Sequence, residues 1–280
     1  MAGDFLGGIY MKKVLCAILL TVIFAGSACA EVVGVLSRIN TSPEVFQTVV
    51  SAKRSAASRT AVLPAYDKDV SCRFYDSMTG MLMALNAGEI DSMSLPECVA
   101  EYVLGVNQKT EARGFILGNG WLNLVMGLKE GNEALRDKLS AAISEMVNDG
   151  TLSLLIRRYI QGPEAKDAKP APFDAFEGAE TLTVAVTGDF PPIDYVDESG
   201  LAAGYNTAML AELGRRLRMN IKLVYTEAAS RAAALMSGKA DAVFWFEQYS
   251  EGIQFDIPEG IITTAPYYGW NKTLFIGLEK

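Results

Sequence analysis

Arg231 opens the tract Arg-Ala-Ala-Ala-Leu, and a guanidinium at a helix start suits a carboxylate ligand, which it can hold through two parallel bonds. Ser230 precedes it as a hydroxyl donor; the plainer alternative is a surface arginine or one paired with Glu227. Asp76, Glu97, Asp189 and Glu247, with Gln248 beside the last, are the matching candidates for polar or cationic groups. Ser37, Arg38, Asn40 and Thr41 cluster at a second helix start, where free N–H groups and the positive dipole end suit an anion, although plain N-capping would use the same residues. Tyr75, Phe190 and Tyr195 would supply aromatic walls, with Ser77 two residues beyond the first; Trp245 lies inside a strand tract and reads as core. The chain has no histidine, which excludes imidazole catalysis and histidine metal ligation.

These residues share a position: each follows, or closes, a run that reads as a strand. VVGVLS precedes a tract in which Thr41 or Ser42 caps a helix with Pro43 in its first turn. CRFY, the amphipathic DSMTGMLMALNAG, EIDSMSL and PECVAEYVLGVN then alternate strand and helix. A short strand at GFIL, the run WLNLVMGLK and two helices separated by Gly150 follow. After a stretch rich in Pro, Ala and charge, the alternation resumes with TLTVAVTG, NTAMLAELGRRLRM, NIKLVYT, SRAAALMSGK and ADAVFWF, and closes on APYYGW and NKTLFIGL. Strands alternating with helices of this length imply parallel βαβ units, so the expected class is α/β. In open α/β sheets ligands sit beyond the carboxyl ends of the strands, where the candidates fall, Pro96 and Glu97 among them.

ALNAGEIDSMSL from Ala84 and ALMSGKADAVFWF from Ala234 repeat one pattern: a helix end, a glycine (Gly88, Gly238), then an aspartate (Asp91, Asp241) opening a strand. Two copies imply two similar halves. Because both aspartates stand at strand starts, the wrong end for a ligand, they read as structural.

At 280 residues and 50% hydrophobic, the chain is long enough for two α/β units with sizeable cores. Lys12 and Lys13 precede the apolar run VLCAILLTVIFAG, and Ala28-Cys29-Ala30 has the small-x-small pattern of a signal-peptidase site. Residues 1–30 are therefore expected to be an export signal, with Met11 a candidate start and cleavage near Ala30. They hold one acid, Asp4, and two lysines, so the net charge goes from −8 to −9 without them. An acidic chain without a basic cluster argues against nucleic acid as a partner. Cys72 and Cys98 remain in a compartment that permits disulfides, and sequence leaves their pairing open.

TLTVAVTGDFPPIDYVDESGLAAGYNTAMLAELGRRL, SGKADAVFW and TTAPYY together resemble the first lobe of the family 3 extracellular solute-binding proteins, the polar amino-acid binders of ABC importers. VVGVLS, ALNAGEIDSMSLPECVAEY and WLNLVMGLKEGNEALRDKLSAAISEMVNDGTLSLLIRRYI resemble that family's second lobe and C-terminal helices. The resemblance implies a two-lobed, type II periplasmic-binding-protein-like fold with circularly permuted lobe order, the alternative being a piece of a longer tandem array. Its divisions would be 1–30 signal, 31–118 one lobe, 119–163 hinge strand and C-terminal-type helices, 164–180 linker, 181–269 the other lobe and 270–280 a terminal hinge strand.

The departures limit what the resemblance implies about the ligand. Where the family carries a Thr-x-x-Arg element for the α-carboxylate, this chain has EQYSEGIQF; where it carries an ammonium-binding aspartate, this chain has Pro96 followed by Glu97. The expected function is capture of a small polar or zwitterionic, amino-acid-like ligand by an exported monomer serving a membrane permease, with no cofactor and no metal. A sensing or partner-binding module on the same fold is the alternative. A dehydratase-like enzyme using Glu97 or Glu247 as general acid or base is the third reading.

Overall fold

The computed structural model describes residues 31–37, 70–161, 165, 168–249 and 257–279. In chain order the elements are β1 (Glu31–Leu36), β2 (Val70–Tyr75), α1 (Met78–Asn86), β3 (Ser92–Pro96), α2 (Glu97–Val106) and the long strand β4 (Thr110–Lys129). Next come α3 (Glu133–Asn148) and α4 (Thr151–Ile156), which runs into a π-type turn at Arg157–Gln161. The second series is β5 (Thr181–Val186), β6 (Asp189–Phe190), β7 (Asp194–Val196), β8 (Ala202–Ala203), α5 (Tyr205–Leu217), β9 (Asn220–Tyr225), α6 (Arg231–Met236), β10 (Ala242–Tyr249), β11 (Ile261–Thr263) and β12 (Tyr268–Leu278).

Nine strands form one sheet in the order β2-β1-β3-β12-β4-β10-β5-β9, with β11 alongside β4. Each end of it is a parallel trio in which the first strand of the series lies in the middle: β1 between β2 and β3, β5 between β9 and β10. Such crossovers require a connecting segment for each parallel pair, and α1, α6 and α5 are among those that provide it. Between the trios run β12 and β4, antiparallel to each other and to the strands they flank. Thr110 to Leu117 of β4 pair with β12 beside the first trio, whereas Leu122 to Leu128 pair with β10 of the second. The two strands therefore carry the chain between two lobes, one crossing each way.

The repeat seen in sequence is a repeat in space. Gly88 (φ 71°) and Gly238 (φ 73°) adopt the left-handed conformation after α1 and α6, one that a side chain would strain. Asp91 then accepts the Val32 N–H at 2.8 Å, and Asp241 accepts the Thr183 N–H at 2.8 Å. Each aspartate also returns its own N–H to the carbonyl of that same residue. Both cores follow the helical period: on α3, Leu139, Ala142, Ile143 and Met146 are buried at the i, i+3, i+4, i+7 spacing. Full burial of a large aliphatic side chain contributes roughly 1.5–3 kcal/mol.

Two expectations change. GFIL and WLNLVMGLK are not separate strands but one, because the backbone stays extended through Gly118-Asn119-Gly120. The stretch before β5 is no free tether: Ala168, Ala171 and Phe173 pack on the core, and Asn220 donates to the Phe176 carbonyl at 3.0 Å while accepting the Phe176 N–H at 2.8 Å. The capping tract at Thr41 to Pro43 lies outside the described residues. No disulfide joins Cys72 and Cys98.

Candidate functional site

Strand register locates the cleft. Pro96 at the end of β3 lies opposite Thr273, and Tyr249 at the end of β10 lies opposite Leu122, so the carboxyl ends of both trios converge on the middle of the hinge strands. On the first-lobe side stand Ser37, whose N–H extends the β1–β2 ladder by donating to the Tyr75 carbonyl at 2.7 Å, and the segment Tyr75, Asp76, Ser77. Tyr75 is half-buried, its hydroxyl has no hydrogen-bond partner among the described residues, and Asp76 is exposed. Arg38, Asn40 and Thr41 lie outside the described residues.

Asp189 reaches across the gap. Ser77 N-caps α1, accepting the Gly80 N–H on Oγ at 3.0 Å, and its carbonyl takes the Met81 N–H at 3.2 Å. Of the remaining first-turn amides, Met78 donates to the Asp189 carboxylate of the other lobe at 2.9 Å, and the Thr79 N–H faces the same carboxylate. Burial pushes the Asp189 carboxyl up, against the downward pull of these amides, its own N–H and the Thr187 side chain. A second contact spans the lobes nearby: Tyr102 of α2 and Tyr195 of β7 place their rings 6.4 Å apart. Burial raises both phenols; Glu198 adds to the shift of Tyr102, and Tyr102 itself heads the charges acting on Tyr195.

Glu97 is already engaged by the hinge. It opens α2 and accepts from Lys272 Nζ of β12 at 2.6 Å, while the same ammonium lies 5.3 Å from the centroid of Phe115 on β4. Lys272 adjoins the register shift between Trp270 and Lys272, so this pair sits where the two hinge strands change lobes. The next residue, Cys98, is buried against Tyr268; burial pushes its thiol up to about 12.

Arg231 is placed differently from a residue presented on a cleft wall. It is 4% exposed, and its Nε and Nη1 donate to the Ala228 carbonyl at 3.0 Å and the Phe244 carbonyl at 2.9 Å. The guanidinium thus ties the short turn before α6 to the centre of β10. Ser230 beside it is exposed. Phe190 is 2% exposed and belongs to the second-lobe core, whereas Tyr195 is half-buried at the gap. Glu247 and Gln248 lie on β10 opposite Leu124 and Asn123 of β4, Glu247 buried and Gln248 half-buried. Sequence reasoning missed Met78, Tyr102 and Lys272. A lone lysine within the apolar NKTLFIGL was the available signal for the last; nothing local marked the other two.

Among the described residues no group of three or more His, Cys, Asp or Glu side chains is arranged to hold a metal, and no helix is long and apolar enough to cross a membrane.

Two α/β lobes joined by a pair of antiparallel strands, with the strand ends of both facing one gap, define a hinged, two-lobed binding fold. Residues 182–249, the body of the second lobe, match the family model of bacterial extracellular solute-binding proteins, family 3. Among solved structures, a zinc-bound ligand-binding component of an ABC-type import system from Staphylococcus aureus is 11% identical, covering 89% of this chain and 66% of its own, at TM-score 0.44. A putative L-cystine ABC transporter from Listeria monocytogenes is 9% identical over 90% of this chain and 83% of its own, at TM-score 0.43. The VFT2 domain of BvgS from Bordetella pertussis is 12% identical over 89% and 80%, at TM-score 0.42. The chain spans just under two thirds of the first of these proteins. No curated protein matches it.

Proposed function

We propose that this chain is an exported, non-enzymatic solute-binding protein that closes two lobes over a small polar or zwitterionic ligand of amino-acid type and delivers it to the permease of an ABC importer. The observation that carries the reading is the hinge: β4 and β12 cross between the lobes side by side, and both trios end at their midpoint. A ligand there bridges both lobes only when they close, so it shifts the open–closed equilibrium by its differential affinity. Ser37, Tyr75, Asp76, Ser77 and Glu97 would face it from one lobe, and Asp189, Tyr195, Glu247 and Gln248 from the other. Both signs of charge at the hinge, in Glu97 and Lys272, favour a zwitterion over a purely apolar guest.

The permuted lobe order is part of the proposal, and so are the export signal and a monomeric state. Ile276 of β12 lies opposite Met93 of β3, and Ser92 lies opposite Val33 of β1, so the end of β12 and the start of β1 share one edge of the first lobe. That is the junction an unpermuted chain would contain.

A thermal-shift screen of the chain from Glu31 against amino acids, small carboxylates, polyamines and short peptides tests the function. A ligand at about 100 times its Kd adds roughly 2.7 kcal/mol, or about 5–10 °C at 2–4 °C per kcal/mol. A folded protein with no shift across the panel would count against solute capture.

A further inference from the structure

An α-helix leaves its first four N–H groups without intrahelical partners. On α1 the Ser77 hydroxyl satisfies one of them, Gly80, while its carbonyl takes the first intrahelical bond, from Met81. Met78 is satisfied from the opposite lobe by Asp189, 111 residues away, and the Thr79 N–H faces the same carboxylate. The first turn of α1 holds no acidic residue of its own, so the acceptor that suits its positive end comes from outside the lobe. Tyr102 and Tyr195 meet across the same gap.

We propose that Asp189 is a built-in latch between the lobes, which completes the N-terminal cap of α1 and stabilises the closed arrangement without a bound solute. Opening the hinge would remove the acceptor from Met78 and Thr79 together, so closure and capping are one equilibrium. An anionic ligand group would also find the α1 terminus already taken, and would have to displace the aspartate to use it. The Met78 bond needs an oxygen acceptor at this position, which the side-chain carbonyl of asparagine also carries. A neutral amide therefore retains it: Asp189→Asn keeps the contact and Asp189→Ala loses it.

Amide hydrogen exchange resolved by residue, on the ligand-free chain from Glu31, is the test. Asp189→Ala is expected to speed exchange at Met78 and Thr79 by on the order of tenfold or more, to leave Leu85 and Val33 unchanged, and to enlarge the radius of gyration in solution scattering. Asp189→Asn is expected to match the parent in both readouts. Met78→Pro gives a check from the other partner: proline is accepted at the first helical position, the preceding Ser77 is extended at φ −142° and ψ 148°, and only the donor at that site is removed from the latch. In that background Asp189→Ala should enlarge the protein less. Equal exchange at Met78 and Thr79 in the parent and Asp189→Ala overturns the latch, as does a parent with both amides exchanging freely. The latch rests on the two-lobed solute-binding reading, yet the outcomes separate: absence of any ligand leaves the exchange result standing, and failure of the latch leaves the ligand screen intact.

Discussion

Asp91 and Asp241 make the same bond in the two lobes, each carboxylate accepting a backbone N–H of the neighbouring first strand at 2.8 Å. They fasten the helix-turn-strand unit to β1 and to β5, which is why an acid recurs there although it stands far from the cleft. Both side chains are exposed, so each bond is worth about 1 kcal/mol, the typical net value of a hydrogen bond and below the range for bonds to charged groups. Asp91→Ala and Asp241→Ala should each cost that much in urea unfolding, and the double variant should cost the sum, since separated sites without shared partners add.

Arg231→Ala should weaken the fold. Removing the guanidinium strips the buried Phe244 carbonyl of its Nη1 donor and the Ala228 carbonyl of one of two, the backbone N–H of residue 231 remaining. An unsatisfied buried polar group costs about 1–3 kcal/mol, so a loss of about 2 kcal/mol or more, or about 4–8 °C in Tm, is expected before any ligand is added. Binding should then be compared at a temperature where both proteins are folded. A Tm equal to the parent would show that these two buried bonds contribute nothing to stability.

The alternation of strands and helices was legible because it depends on local period and on punctuation such as Ser77, Pro96, Gly88 and Gly238. The repeat announced the two trios for the same reason. What stayed hidden depends on partners far away in sequence. Arg231 was found as the start of a helix, but the direction of its side chain is set by the carbonyl of Phe244 on β10. Asp189 was picked as a strand-end residue, yet its contact with Met78 exists only once two lobes face each other. The break read at Gly118-Asn119-Gly120 is instead a bulge between the Leu117–Lys272 and Leu122–Trp270 pairs, and the strand continues across it because β12 pairs with β4 on both sides. Gly204 is the reverse case: φ is 98°, and a Cβ there would lie 2.7 Å from the Pro192 and Ile193 carbonyl oxygens, so the glycine in LAAGYN is demanded by the packing of its loop.

Acid should release the clamp between α3–α4 and α5. Asp149 accepts from the Thr151 N–H at 2.9 Å and from Arg216 Nη2 at 2.7 Å, and the Thr151 bonds, followed by that of Arg216, hold its carboxyl down at about 2. A folded pKa below the unfolded one means that the unfolded chain binds the proton first. The contribution is therefore complete above about pH 4, the ordinary aspartate range, and fades as pH falls toward about 2. Parent and Asp149→Asn should differ most in urea midpoint at neutral pH and converge near the acid end. A difference that stayed constant with pH would show that the charge contributes nothing.

Joining the end of β12 to the start of β1, and opening the chain in the stretch before Phe176, should give a protein that folds. Leu278 closes the β12 ladder, Glu31 opens β1, and β3 alone separates the two strands. Neighbouring strands lie about 4.8 Å apart, so the gap is about 10 Å, which a loop of roughly four residues spans. The new ends would fall among residues 162–167, before the Asn220 contacts that hold Phe176 and Ala179, so those bonds survive. Circular permutation is tolerated when few contacts cross the cut, and since Ala165 is buried the cut belongs beside it rather than at it. Cooperative unfolding within a few degrees of the parent, about the effect of 1 kcal/mol, together with the same ligand response, is the expected result. A rejoined chain that collapsed or lost cooperativity would show that β12 and β1 cannot be made continuous, and the permuted order would be withdrawn.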